Sequence, residues 1–207
     1  MVELLRDGPP AAASTLVVAH GAGAPMDSAP LAQFAAGVAA HDIGVVRFEF
    51  AYMAARRAGG GRRAPDREPV LRARWLEVIA ALGGGAGLVI GGRSLGGRIA
   101  SMVADEAGAR GLVCLGYPFH PPGRPERLRT AHLAALATPA LIVQGERDAF
   151  GGRTEVATYA LAPSIRVLWL PAADHALRPL ARSGYTAAQH LDTAVTATVE
   201  FVRLLAR

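Results

Sequence analysis

Short apolar runs alternate with longer mixed stretches along the chain. Residues 15–20 (TLVVAH), 45–50 (VVRFEF), 88–92 (LVIGG), 112–117 (LVCLGY), 140–144 (ALIVQ) and 165–170 (IRVLWL) have the length and side-chain content of strands. Segments 31–40, 69–82, 95–107, 128–137, 154–161 and 186–205 read as helices. Pro69 suits a first helical turn, and Gly83-Gly84-Gly85 closes that helix. The strands are apolar nearly throughout, as expected where both faces of a sheet are covered. Strand and helix in regular alternation imply a parallel sheet with right-handed crossovers. The expected fold class is therefore α/β: a mainly parallel sheet of six to seven strands with helices on both faces. The stretch 58–69, rich in Gly, Arg and Pro, reads as a long loop within one domain covering 1–207.

Composition narrows the class. With 51% apolar and 19% charged residues the chain is globular rather than disordered. No apolar run approaches the roughly 18 residues of a membrane span. Residues 1–10 carry Glu3, Arg6 and Asp7 and lack the apolar centre of a signal peptide, so a cytoplasmic location with no membrane partner is expected. The one cysteine, Cys114, sits in the run LVCL, where a small buried hydrophobe is expected. The net charge is +5 and every basic residue is arginine. These arginines are spread along the chain, which argues against a nucleic-acid-binding face. A local excess runs from Arg56 to Arg74, offset by Asp66 and Glu68.

The chemistry centres on Gly92-Arg93-Ser94-Leu95-Gly96, a G-x-S-x-G sequence between a strand and a helix. A serine at so sharp a turn projects clear of the sheet, and side chains two residues to either side would collide, so glycine stands at both places. A Walker phosphate loop needs a lysine, which the chain lacks. A dinucleotide fingerprint at Gly21-Ala22-Gly23 fails at its third glycine, which is Met26. The His20-Gly21-Ala22-Gly23 loop instead suits an oxyanion hole. Its donors would be the N–H groups of Leu95 and Ala22, with Gly23 as the alternative to Ala22, while His20 braces the loop.

A Ser-acid-His order then selects the remaining groups. After ALIVQ the acid is Asp148, with Glu146 as the fallback; after IRVLWL the base is His175. His190 falls in the last helix, where a surface or packing role is expected, and His41, His120 and His132 precede the acid. All three chosen groups follow predicted parallel strands, at the sheet edge where ligands of open α/β sheets bind. No Cys/His cluster has metal-ligand spacing, so neither metal nor cofactor is expected. Candidate substrate contacts are Gly23, Tyr52, Arg62 and Arg63. The arginine-rich loop has two readings: an anion-binding rim, or a solvated loop braced by Asp66 and Glu68. Arg93, beside Ser94, is placed to hold Glu49 or another acid.

The segments GGRSLGGR (91–98), CLGYPFHPPG (114–123) and QGERDAFG (144–151), with Asp174-His175 and Arg178-Pro179, resemble one small α/β-hydrolase family. That family holds many bacterial proteins of unassigned substrate, a testis-expressed animal protein and the hydrolase-like region of a histone acetyltransferase subunit. The resemblance runs from about residue 20 to 179 and includes the segment 52–67. It implies an α/β-hydrolase fold with Ser94, Asp148 and His175 as catalytic triad. More distantly the chain is similar to dienelactone hydrolases and small carboxylesterases. The interval 118–139 is too short for a lid domain, so an open site for small, accessible esters or thioesters is expected. The rival expectation is a non-catalytic binding module on the same fold.

Overall fold

The computed structural model describes residues 3–61 and 63–206. Seven strands, β1 (Leu4–Asp7), β2 (Thr15–Ala19), β3 (Gly44–Phe48), β4 (Leu88–Arg93), β5 (Gly111–Leu115), β6 (Ala140–Gly145) and β7 (Ile165–Leu170), form one sheet in the order β1-β3-β2-β4-β5-β6-β7. All neighbours pair in parallel except β1 with β3. The six expected strands are β2 to β7; β1 is an addition. Its four residues, LLRD, are too short and too polar to stand out. They are held by pairing, with the Asp7 carboxylate accepting from both Nε (2.9 Å) and Nη2 (3.1 Å) of the nearly buried Arg47 on β3.

Helices α1 (Ala29–Ala39) and α6 (Ala187–Leu205) cover one face, and α3 (Glu68–Ala81) and α4 (Leu95–Val103) the other. Alternation along β2 shows why its whole length is apolar. Leu16 and Val18 join Phe34, Val195 and Phe201 in one layer, whereas Val17 and Ala19 join Trp75 and Ile99 in the opposite one. Helix α6 begins with a reciprocal capping box between Thr186 and Gln189. None of the helices among the described residues is long and apolar enough to cross a membrane.

Four local expectations need correction. A two-turn helix, α2 (Ala51–Arg57), precedes the arginine-rich loop; its alanines and arginines carry no apolar stripe, and it buries only Tyr52 and Met53. The helix expected over 128–137 is a 3-10 segment, Ala131–Ala135, and that over 154–161 shortens to α5 (Arg153–Val156). Strand β7 lies at the sheet edge and buries only Leu170 fully, so its apolar run overstates its coverage. Between β5 and β6 the described chain contains no inserted lid, only that 3-10 segment.

The chain winds outward from β2 to β3, then returns to place β4 on the other side of β2. At this reversal the loops leaving β2 and β4 diverge and open a crevice at their C-terminal ends. The loop after β2 starts at His20, and Ser94 follows β4 directly.

Candidate active site

Ser94 occupies the turn from β4 into α4 with φ 49° and ψ −113°, a backbone geometry that L residues rarely adopt. Two main-chain bonds fix the turn: the Ser94 N–H donates to the Leu115 carbonyl (3.0 Å), and the Arg98 N–H donates to the Ser94 carbonyl (2.9 Å). Glycines 92 and 96 press against the main chain at the end of β2, so closely that a Cβ on either would overlap the Ala19 carbonyl.

Beyond β7, the Asp174 carboxylate accepts from the N–H groups of Ala176 (2.8 Å) and Arg178 (2.9 Å), curling the loop that carries His175. This loop crosses the end of β5 at Gly116, where a Cβ would stand 2.7 Å from the His175 carbonyl oxygen. The result is a continuous polar chain. His175 Nδ1 lies 2.8 Å from Asp148 Oδ2, and His175 Nε2 lies 2.8 Å from Ser94 Oγ. The Asp148 side chain is fully buried, whereas that of His175 retains 22% exposure toward the cleft.

A buried carboxylate needs donors. Asp148 Oδ1 accepts from the Phe150 N–H (2.8 Å), and Oδ2 accepts from Gln144 Nε2 (2.8 Å) as well as from His175. Gln144 is itself fully buried and also accepts the Tyr117 N–H at 2.7 Å. The Phe150 ring stacks on the His175 imidazole with centroids 4.0 Å apart. Neither Gln144 nor Phe150 was singled out from sequence. The one available signal was a glutamine closing an apolar strand just before the acid turn. Glu146, the fallback acid, points elsewhere and accepts from Arg153 (2.7 Å) and from the Ala172 N–H (3.1 Å).

The cleft beside Ser94 has a volume of about 260 Å³ and is walled by residues 21–24, Arg93, Phe150 and His175. Ala22 and Gly23 line it and are exposed. Leu95 opens α4, where an N–H has no intrahelical acceptor. Neither the Leu95 nor the Ala22 N–H finds an acceptor among the described residues.

Tyr52 stands behind the loop instead of in the cleft: it is buried, and its hydroxyl donates to the Ala22 carbonyl (3.1 Å). Arg63 is exposed and sends Nε to the Gly60 carbonyl (3.4 Å). Arg62 lies outside the described residues. Around this loop Arg57 joins Asp27 (2.9 Å) and Glu49 (2.8 Å), and Arg56 sits over the Tyr52 ring. The bracing differs from expectation. Asp66 accepts the Tyr52 N–H, while Glu68 pairs with Arg98. Glu49, taken up by Arg57 and the Met26 N–H, is not the partner of Arg93. His190 is a packing residue, buried in α6 with Nδ1 near the Leu177 carbonyl (3.2 Å). Among the described residues no three His, Cys, Asp or Glu side chains are grouped to hold a metal.

His20 is wholly buried beneath the loop. The Phe50 N–H donates to its Nε2 (3.2 Å), so Nδ1 carries the proton and donates to the Gly21 carbonyl (2.7 Å). Burial holds its pKa below the ordinary 6.5, against the raising effects of the Gly21 bond and of Glu49. The unfolded chain therefore takes up this proton first. The stability tied to neutral His20 is complete above pH 6.5 and is lost as pH falls below it, through the lower folded pKa. Urea unfolding of wild type and His20→Asn between about pH 7.5 and about pH 5.5 is expected to show the steeper loss in wild type. His132, also held low by burial, is common to both proteins and cancels. Equal slopes would remove His20 as the source.

The chain belongs to the alpha/beta hydrolase domain family, whose model matches residues 12–203. Solved structures agree with this assignment. A putative hydrolase of the alpha/beta superfamily from Xanthomonas campestris is 25% identical, with 92% of this chain and 99% of that chain covered and a TM-score of 0.65. A dienelactone hydrolase from Anabaena variabilis is 20% identical, with coverages of 97% and 90% and a TM-score of 0.69. A serine hydrolase without a lid, also from Xanthomonas campestris, is 18% identical, with coverages of 97% and 88% and a TM-score of 0.64.

Proposed function

We propose that the protein is a serine hydrolase that cleaves small, accessible ester or thioester substrates through an acyl-enzyme on Ser94. The observation that carries this reading is the unbroken run Asp148–His175–Ser94, with both links at 2.8 Å, ending on a hydroxyl that faces an open cleft. The Asp148 carboxylate can only accept, so His175 Nδ1 holds the proton and Nε2 is free to take one from Ser94. Ser94 Oγ attacks the carbonyl carbon as its proton passes to Nε2. Asp148 stabilises the imidazolium that results. The Leu95 and Ala22 N–H groups receive the developing oxyanion, each contributing about 3 kcal/mol of transition-state stabilisation. His175 returns the proton to the leaving alcohol or thiol, and water, deprotonated by the same imidazole, releases the acid.

The motifs at 91–98, 114–123 and 144–151 place the chain, in this reading, with the small group that includes the testis-expressed protein and the acetyltransferase subunit. The proposed setting is cytoplasmic, with a soluble small-molecule partner and neither nucleic acid nor membrane. A fluorophosphonate probe tests the reaction. One adduct on the Ser94 peptide, blocked by heating the protein beforehand, is expected. A native protein that takes no label would leave the binding-module alternative in its place.

A further inference from the structure

A second cavity, of about 490 Å³, adjoins the Ser94 cleft and shares Arg93 with it as a wall. Its volume lies within the roughly 300–1,000 Å³ range of small-molecule sites. Phe34, Leu115, Leu177 and Leu191 make it mainly apolar, and Arg178 stands at its margin. Two partly exposed arginines, Arg93 and Arg129, hold no acceptor among the described residues, and of the two only Arg93 lines these cavities. Arg47 and Arg98, whose side chains are 9% and 18% exposed, each hold a carboxylate. Arg93 is only partly exposed, yet among the described residues its guanidinium has neither a hydrogen-bond acceptor nor a carboxylate within ion-pair distance. Burial, and then the like charge of Arg178, push its pKa below the ordinary arginine range, with Asp174 opposing. The guanidinium stays charged all the same. A fixed cation in an apolar recess, one residue from a candidate nucleophile, lacks an anion that the protein does not supply.

We infer that this cavity receives a carboxylate carried on a short hydrocarbon arm of the ester, with Arg93 as its partner. The preferred substrates are then esters that bear a second, free carboxylate, such as half-esters of short dicarboxylic acids. A carboxylate fits better than a bulkier polyanion, because the planar Arg93 guanidinium offers a single two-point fork and the other walls are mainly hydrocarbon, with Gln33, His190 and the marginal Arg178 as the remaining polar groups. The inference rests on Ser94 acting as nucleophile, and it names the substrate class of that same site.

The test compares matched esters. Mono-para-nitrophenyl glutarate is set against para-nitrophenyl pentanoate, placing the charge on the acyl side. Acetoxybenzoate is set against phenyl acetate, placing it on the leaving group. Wild type is expected to prefer the charged member of one pair by about tenfold or more in kcat/KM, a preference that collapses in Arg93→Met. A preference absent from both pairs, or one that survives in Arg93→Met, overturns the inference. Calorimetric titration of Ser94→Ala with monomethyl glutarate and with methyl pentanoate provides an arm that needs neither turnover nor the Arg93 variant. Tighter binding of the charged ligand supports the carboxylate site, and equal binding overturns it. Failure of the hydrolase reading looks different: wild type takes no fluorophosphonate label and cleaves none of the four esters, whatever the titration gives.

Discussion

Ser94→Ala is expected to lower kcat on an activated ester by roughly a million-fold, with the protein still folded. The size follows from the arrangement, because the hydroxyl, the imidazole and the carboxylate act as one relay. Removing the nucleophile removes covalent catalysis, and the base then has no proton to move. His175→Ala is expected to be about as damaging, and the double variant no worse than either single one. Asp148→Asn is expected to cost about 10⁴-fold, since an amide at that place favours the wrong imidazole tautomer. The residual rate would come from binding and the Leu95 and Ala22 donors. Single-turnover kinetics on para-nitrophenyl acetate, with circular dichroism as a folding control, read all four values. Independent, multiplying losses from Ser94 and His175 would mean that the two groups do not serve the same step.

The second large effect lies in the backbone. Gly96→Ala is expected to destabilise the fold by about 3 kcal/mol, at the upper end of the usual overpacking penalty, and to cost activity as well. A Cβ at 96 would meet the carbonyl oxygens of both Ala19 and His20, the latter at 2.7 Å. The first belongs to the last residue of β2, which is bonded to β3 on one side and β4 on the other and cannot recede, and the second to the residue that follows it. The added methyl must therefore displace the turn that carries Ser94, and a misplacement of about 1 Å can cost about a hundredfold in rate. Gly87→Ala is the matched control, because a Cβ there meets nothing within 4 Å. It should stay within about 0.5 kcal/mol of wild type in urea denaturation. Similar losses at the two positions would refute the steric account of the turn.

What could be read in advance divides along physical lines. Strands β2 to β6 were legible because both faces are covered, so nearly every side chain is apolar. The Ser94 turn was legible because sterics tie it to glycines at fixed offsets. The order of Asp148 and His175 followed from the strands they succeed. Strand β1 was hidden because a pairing partner 40 residues away, and not its own pattern, makes it a strand. Helix α2 was hidden because seven residues cannot display an apolar stripe. Gln144 and Phe150 escaped notice for other reasons: their bonds to Asp148 span only four and two residues and follow no periodic pattern, and the Phe150 stack on His175 arises only when the loop after β7 reaches the end of β6. The lack of a partner for Arg93 is a property of everything around it, which a linear chain does not display.

Cys114 lies near the C-terminal end of β5, is 1% exposed, and packs with its sulfur beneath Gly97 in the first turn of α4. Burial alone pushes its thiol well above the ordinary cysteine range, so the intact protein offers almost no thiolate to an alkylating reagent. An electrophile can reach the sulfur only when this interior strand parts from the helix above it. The side chain is thus a native clock for sub-global opening, seated under the same stretch of backbone that gives Ser94 its geometry.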